Sequence, residues 1–463
     1  MKGCMSMNKN CAVILAAGEG TRMKSSKPKV MAQVLFVPMI DWVISAVKKS
    51  QVEDICVVTG HLSEMVCGHL GGAFKTVFQA QRLGTGHAVS CAEKFIASHS
   101  GGNVLVLNGD APLIDAKTVT DALNFHISSG NSATVISATV DNPAGYGRMV
   151  RGADGRLERI IEQRDATDDE KKINEVNSGA YWFRCDDLLS ALEDIAAMGR
   201  EKKEIYLTDA IEILLNNGKR ADAFAAESAD VILGANDRYQ LMELNEIARK
   251  KVLKENMLSG VDIPCTDGVI ISAQAVIGTD TQILPGTIIT GATVIGNGCV
   301  IGPDTKLDSC TVGDGSVINA SRCENSTLGK NVTVGPFSHL RPGCVISDGA
   351  HAGNFVEVKN SNIGKNTKIS HLTYIGDSDL GEGVNVGCGC ATANYDGTHK
   401  FRTTVGDKAF IGCHTCLVAP VNVGNHAYTA AGSVVTQDVP DGTMAIARSR
   451  QSIKRKVRKY NED

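Results

Sequence analysis

The sequence predicts an α/β domain followed by a parallel β-helix, and three observations carry that prediction. Over residues 11–235, short apolar runs alternate with helical patterns. Residues 237–257 then read as one long helix. From about residue 260 to 447 the helix signal vanishes and an aliphatic residue returns every sixth position. The chain has 463 residues, too many for one ordinary core, so two or three domains are expected.

In the first stretch, "CAVILAA", "DICVVTG", "NVLVLNGD" and "ATVISATV" read as buried parallel strands. "MIDWVISAVKKS" and "HAVSCAEKFIAS" read as helices between them. Strand and helix in series imply a doubly wound sheet, whose ligands bind at the carboxyl ends of strands. In the linker, Asp237 is placed to cap a helix. Leu241, Leu244, Ala248 and Val252 recur at spacings of three and four. The hexad runs through Ile277, Ile283, Ile289, Ile295, Ile301 and Leu307, then Leu328, Val334, Leu340, Ile346, Ala352 and Val358. A third train takes in Val405, Ile411, Leu417, Val423 and Thr429. Three hexads per coil give a triangular prism with the aliphatic residues pointing inward. The period does not give the hand. These shifts divide the chain into residues 1–236, a linker helix at 237–258, a β-helix at 259–447 and a tail at 448–463.

Hydrophobic residues make up 43% of the chain, charged residues 21%, and net charge is −4. No global field recruits nucleic acid or membrane. No run approaches the ~18 apolar residues of a membrane span. "MKGCMSMNKNC" lacks the apolar core of a signal peptide. Fifteen scattered cysteines then suggest reduced thiols in a cytoplasmic protein. Cys388, Cys390, Cys413 and Cys416 also admit a weak reading as a metal site. "RSRQSIKRKVRKY" carries seven Lys or Arg between Arg448 and Lys459. It is either a solvated tail or a contact to a phosphorylated ligand.

"LAAGEGTRMKSSKPK", residues 15–29, follows directly on a strand. It is neither a Rossmann fingerprint nor a P-loop. Gly18 and Gly20 nevertheless let the backbone approach a polyphosphate, and Arg22 and Lys29 supply cationic charge. L-x-x-G-x-G-T-R-M with a downstream K-P-K resembles the sugar-nucleotide pyrophosphorylases. "QAQRLGTGHA", "NGDAPL", "GYGR", "IIEQRDA" and "EVNSGAY" follow in that family's order.

The hexad half resembles the hexapeptide-repeat acyltransferases, which implies the left-handed β-helix and assembly as homotrimers. Together the halves resemble the bacterial bifunctional N-acetylglucosamine-1-phosphate uridyltransferases/glucosamine-1-phosphate acetyltransferases over almost the whole chain. The resemblance implies a nucleotide-diphospho-sugar transferase-like first domain. It implies that UDP-N-acetylglucosamine, a precursor of cell-wall polymers, is made from UTP, acetyl-CoA and glucosamine-1-phosphate with Mg²⁺.

For the first site it implies that Leu15, Ala16, Ala17, Gly18 and Lys29 approach the nucleotide, with Arg22 and Lys29 catalytic. Gln79, Gly84 and Thr85 would hold the uracil. Gly147, Glu162 and Asn177 would hold the N-acetylated sugar. Asp110 and Asn236 would bind Mg²⁺, and Asn236 would also serve the nucleotide. In-line phosphoryl transfer needs charge neutralised rather than a protein nucleophile. A hard cation held by one or two protein oxygens and substrate phosphates suits it.

A β-helix needs no Arg, Lys, His or Tyr, so their clusters ask for a reason. Arg341 precedes Lys359 by 18 residues, one full coil, so the two stack as a cationic pair or merely as a solvated ladder. His371 is the candidate general base for acyl transfer to an amine, with Glu357 available to orient it. The resemblance implies that His371 deprotonates the amine of glucosamine-1-phosphate. Arg341, Lys359, Tyr374 and Asn385 would bind that substrate, with Lys400 a further phosphate contact. Asn394, a further catalytic candidate, and Tyr395 would border the acetyl group. Cys388, Cys413, Ala431 and Arg448 would complete the acetyl-CoA groove. Cys388 stands where alanine is usual and Cys413 where serine is usual, so acetyl transfer is expected to be sensitive to thiol reagents.

The hexad beat stops between Val386 and Val405, within "VGCGCATANYDGTHKFRTTVG". Long loops in compact structures are functional or disordered. This one is read as reaching an acetyl-transfer site, with Asn394 and Tyr395 at its tip and Gly397 as its turn. Two rivals remain. One is a glucose- or mannose-1-phosphate pyrophosphorylase with a hexapeptide tail, which would lack the His371, Asn394 and Tyr395 set. The other is a noncatalytic translation-factor subunit of the same two folds, which would lose the phosphate-loop residues.

Overall fold

A computed structural model describes residues 10–198 and 204–455. The segment expected to lack a signal peptide lies mostly outside them, as do residues 456–463 of the basic tail. The chain divides into two compact units, Met1–Ala248 and Arg249–Asp463.

The first unit is built on nine strands. They are β1 (Cys11–Ala16), β2 (Asp54–Thr59), β3 (Lys75–Phe78), β4 (Asn103–Asn108), β5 (Ala133–Thr139), β6 (Arg148–Arg151), β7 (Leu157–Ile161), β8 (Glu175–Arg184) and β9 (Ala221–Ala225). The sheet order is β9-β5-β8-β4-β1-β2-β3, with β6 pairing to β8 and β7. β1 lies between β2 and β4, parallel to both. Its Cys11 and Val13 enter one apolar cluster, and its Ala12 and Ile14 enter the other. A strand buried on both faces needs helices on both sides, which explains its unbroken apolar run.

The four runs read as strands in sequence are β1, β2, β4 and β5. β8 was not anticipated. It runs antiparallel to both β4 and β5 and separates them, so the sheet is mixed. "HAVSCAEKFIAS" is also not one helix. It divides into Thr85–Ser90 and Glu93–Ala97.

The long helix spans Arg238–Leu258, and the Gln240 N–H donates to Asp237 Oδ1 at 2.9 Å, a side-chain cap. Leu244, Ala248 and Val252 are its buried stripe.

In the second unit, short strands stack in parallel, coil upon coil. Three inward columns result. One passes through Leu307, Cys323, Leu340, Val358, Ile375, Thr392 and Leu417. Another takes Ile277, Ile295, Val312, Leu328, Ile346, Ile363, Leu380, Val405 and Val423. The last takes Ile301, Ile318, Val334, Ala352, Ile369, Val386, Ile411 and Thr429. Between Leu307 and Leu328, where the beat lapses in sequence, Val312, Ile318 and Cys323 keep the core filled. Some sides there are one residue short, which hides them from a strict count of six.

The interruption is narrower than the sequence suggests. Thr392 occupies the inward position after Val386 and is 3% exposed. The departure therefore begins after Thr392, and the beat resumes at Val405. Within it Tyr395 bridges antiparallel to Lys400, and the Phe401 N–H donates to the Asn394 carbonyl. Asp396 accepts from the backbone of Thr398 and His399, and Gly397 turns at φ +102°. The loop is a small hairpin raised from the prism.

Candidate active sites

The carboxyl ends of β1 and β4 open into a cavity of about 340 Å³. Leu15, Ala17, Gly18, Lys29, Gln79, Gly84, Thr85 and Asp110 line it. Gly20 has φ +61°, and a Cβ there would stand 2.7 Å from Lys29 Cβ. The glycine is what lets Lys29 lie over the loop. Gln79 is buried, and its amide donates to the Gly84 carbonyl and to His87 Nδ1. Thr85 Oγ accepts from the Leu207 backbone at 3.0 Å. A Cβ on Gly84 would fall 2.2 Å from the Ile205 carbonyl. Two expected residues stand apart. Ala16 turns its side chain into the core, which leaves only its backbone for a nucleotide. Arg22 is exposed on a 3-10 turn, outside the cavity lining.

Lys29 Nζ lies 2.5 Å from Asp110 Oδ2 and donates to Asn236 Oδ1 at 2.7 Å. Gly234 makes this possible, because a Cβ there would be 2.7 Å from the Asp110 carbonyl. The two oxygens expected to hold a metal thus converge on one cation position. Among the described residues no group of three or more His, Cys, Asp or Glu is placed to hold a metal. That sets aside the cysteine site. It leaves a pair of oxygens, one of them a carboxylate, a donor set that fits a hard cation completed by substrate phosphates.

A second cavity of about 600 Å³ lies beside the first and shares Glu204 and Tyr206 with it. Glu162 lines it, and burial pushes its carboxyl above the usual range. The Asn177 N–H donates to the Gly147 carbonyl at 2.9 Å. A Cβ on Gly147 would stand 3.6 Å from the Glu162 carboxylate. Strands β6, β7 and β8 therefore gather Gly147, Glu162 and Asn177 at one place.

In the β-helix, register does the gathering. Asn354 pairs with His371 on the next coil. The same offsets continue the column through Cys388, Cys413 and Ala431. Backbone bonds from Gly389 to Leu372, His414 to Cys388 and Gly432 to Cys413 pin it. His371 is exposed, and its Nδ1 lies 2.7 Å from Asn354 Oδ1. With the amide oxygen accepting, Nδ1 carries the proton and Nε2 keeps the lone pair. Glu357, expected to orient this ring, instead accepts from Arg341 at 3.0 Å. Its coil partner is Tyr374, not His371. A coil of 17 residues here places Asn354 in register with the histidine.

Arg341 and Lys359 do stack, one coil apart. Lys400, on the hairpin, approaches Lys359, which together with Arg341 holds its ammonium below the usual range. Three cations gather there with the carboxylates of Glu357 and Asp377, leaving one positive charge over. Asp377, not singled out from the sequence, is the hub of this group. Its carboxylate accepts from Asn360 at 2.6 Å, from Asn394 and from Lys359 at 3.4 Å. Burial pushes the carboxyl up, but those donors outweigh it and hold it below the usual range. Its sequence signal was an aspartate straight after the "YIG" strand, which reads as a turn residue. Asn385 lies one hexad before Ala391, Tyr374's coil partner, so it sits on the neighbouring face round the His371 corner. Tyr395 is exposed on the hairpin. Arg448 reaches Gly432, next to Ala431.

Fold and sites together define a nucleotidyl transferase joined to a hexapeptide-repeat transferase. Residues 11–240 match the nucleotidyl transferase family, residues 274–309 the bacterial transferase hexapeptide repeats, and residues 306–382 the GlmU-like C-terminal hexapeptide family. The stacked coils are those of the left-handed parallel β-helix class. The chain is 46% identical over 443 residues to the Bifunctional protein GlmU of Acetivibrio thermocellus, covering 96% of each. It is 45% identical to the one from Caldanaerobacter subterraneus, with 97% of each covered, and 45% to that of a Geobacillus species, with 96% of each covered. The chain belongs to the bifunctional GlmU family.

Proposed function

We propose that the two units carry out consecutive steps toward UDP-N-acetylglucosamine. The second unit transfers acetyl from acetyl-CoA to glucosamine-1-phosphate. The first then joins the product to the uridylyl group of UTP and releases pyrophosphate. The observation that supports this reading is the His371 column, in which Asn354 can accept from Nδ1 and leave Nε2 for the substrate amine, on coils that also carry the Arg341 and Lys359 cations.

In acetyl transfer, Arg341, Lys359 and Lys400 bind the sugar phosphate, with Tyr374 beside them. Asn354 holds the imidazole so that Nε2 takes a proton from the substrate amine. The amine attacks the thioester carbonyl, a C–N bond forms, and the coenzyme thiolate leaves. Asn394, tied to Asp377, borders the acetyl group with Tyr395. The column beyond His371, through Cys388, Cys413 and Ala431 to Arg448, gives the coenzyme a path along the prism.

In uridylyl transfer, a phosphate oxygen of the acetylated sugar attacks the α-phosphorus of UTP, and pyrophosphate leaves. Gln79, Gly84 and Thr85 hold the base, while Gly147, Glu162 and Asn177 hold the sugar. Lys29 and the Gly18–Gly20 backbone neutralise phosphate charge, and Arg22 can join them only if its loop moves. Mg²⁺ held by Asp110 and Asn236 would supply further neutralisation when bound.

The working form we propose is a homotrimer through the β-helix. Phe337, Phe355 and Leu372 form an apolar corner column, each more than half exposed, with the two rings stacked at 5.4 Å. All three have positive φ, a costly conformation for such residues on a bare surface. The position of Asn385 round the corner from Tyr374 also suits a pocket completed by a second copy. Cysteine usage supports a cytoplasmic setting. Among the described residues no helix is long and apolar enough to cross a membrane.

A coupled assay with glucosamine-1-phosphate, acetyl-CoA and UTP tests the reading. His371→Ala should abolish only acetylation, and Asp110→Ala only uridylylation. Loss of both activities in either folded variant would overturn the two-site reading.

A further inference from the structure

Six of the coil cysteines fall into two groups. Cys299, Cys310, Cys344 and Cys390 are buried, and each thiol donates to a backbone carbonyl. Burial pushes all four thiols up, Cys390 to about 11. They are inert packing residues. Cys388 and Cys413 differ. They occupy the outward corner of their coils, Cys388 half-buried and Cys413 exposed. They are directly in register on adjacent coils, since Val386 pairs with Ile411 and the His414 N–H donates to the Cys388 carbonyl at 2.8 Å. Parallel neighbours stand ~4.8 Å apart, inside the ~4.4–6.8 Å span of Cα atoms that a disulfide bridges. The next rung of the same column is His371.

We infer that Cys388 and Cys413 form a dithiol modification site. A low-molecular-weight disulfide converts it to a Cys388–Cys413 disulfide that closes the acetyl-transfer site. The inference rests on the acetyltransferase reading of the second unit. The exposed Cys413 thiolate attacks the reagent RSSR. Its S–S bond breaks, a Cys413–SR bond forms, and RSH leaves with one proton. The Cys388 thiolate then attacks the Cys413 sulfur and expels the second RSH. The two cysteines are oxidised and RSSR is reduced to two thiols. The bridge fills the rung beside the imidazole, where the thioester has to approach Nε2. Nothing in the first unit is touched.

The test treats the reduced full-length protein with oxidised glutathione, then assays both activities and maps tryptic peptides without reduction. Lys400, Arg402 and Lys408 lie between the two cysteines, so only a disulfide holds their peptides together. We expect the linked peptide pair. Acetyl transfer should fall about a hundredfold, the scale for a misplaced reacting group, and dithiothreitol should restore it. Uridylyl transfer should not change. Each variant is compared with its own reduced state. Cys413→Ser should lose the response, while Cys416→Ser should keep it. Absence of the linked pair, or an undiminished response in Cys413→Ser, would overturn the inference. If the reduced protein transfers no acetyl group, the functional reading fails, and the peptide maps of the wild type, Cys413→Ser and Cys416→Ser compared still decide the disulfide.

Discussion

The two units assemble their sites by opposite means. In the first, the residues come from far apart in sequence and meet because strands end at the same edge of a sheet. Lys29, Asp110 and Asn236 share one cation position across more than 200 residues. In the second, each residue meets the one a coil away, and arithmetic nearly suffices. A sheet fixes position through its topology, so a single crossing strand changes what can meet. A solenoid fixes position through its period, so one short coil changes it.

The sharpest way to break this comparison is to remove one residue from each device. His371→Ala should lower acetyl transfer by about 10²–10⁴-fold and leave uridylyl transfer alone. Asp110→Ala should do the reverse by about 10²–10³-fold. Rates with each substrate pair measured separately check both.

Assembly should matter to one unit only. Phe355→Asp places a charge in the apolar corner column. It should shift the protein toward monomers in analytical ultracentrifugation, with acetyl transfer falling about a hundredfold as the pocket loses its partner. Uridylyl transfer should persist.

Acid should separate the units as well. His126, in the first unit, is 1% exposed, with Nδ1 on Thr134 and no partner at Nε2. Burial, helped by Arg184, lowers its pKa to about 4 from 6.5. The unfolded chain therefore binds a proton that the folded unit refuses. Stability contributed by the neutral ring is complete above about pH 6.5. It drains away as pH falls toward about 4, by about 3 kcal/mol in all. His126→Gln should flatten that slope, read from denaturant melts of the first unit across this range.

The smallest effect sharpens the comparison most. Asn354→Ala removes one hydrogen bond from the imidazole and should cost acetyl transfer about tenfold. The cost should appear in kcat and shift the acid limb of its pH profile, while Asn354→Asp should restore part of the rate. Loss of binding alone would mean that Asn354 does not position the base.

Much of this was legible in the sequence, for reasons that differ by region. Arg341 and Lys359 could be paired by counting, because their coil has its full 18 residues. Asn354 could not be paired with His371, because that coil is one residue short and an asparagine at a corner reads as a turn residue. Asp377 escaped for the same reason. In the first unit the loop that lays Lys29 against Gly20 was visible from its glycines. The meeting of Gly147, Glu162 and Asn177 rests on the antiparallel β8, and no local pattern reveals strand direction. Thr392 hid the true start of the hairpin, since a threonine in an inward position breaks the apolar beat without breaking the coil.

The column from Asn354 to Ala431 spans consecutive coils, which limits how the prism can change length. Coils before Val334 contribute no rung, so a whole coil could be added or lost there and the His371 column would stay intact. Between Ala352 and Thr429 every coil carries one rung. Deleting the coil of Asn354 or of Cys388 would keep the core filled yet set the wrong residue beside the imidazole, and deleting a later one would shorten the column toward Arg448. The coils ahead of the His371 column are therefore free to vary in length, and those that carry it are not.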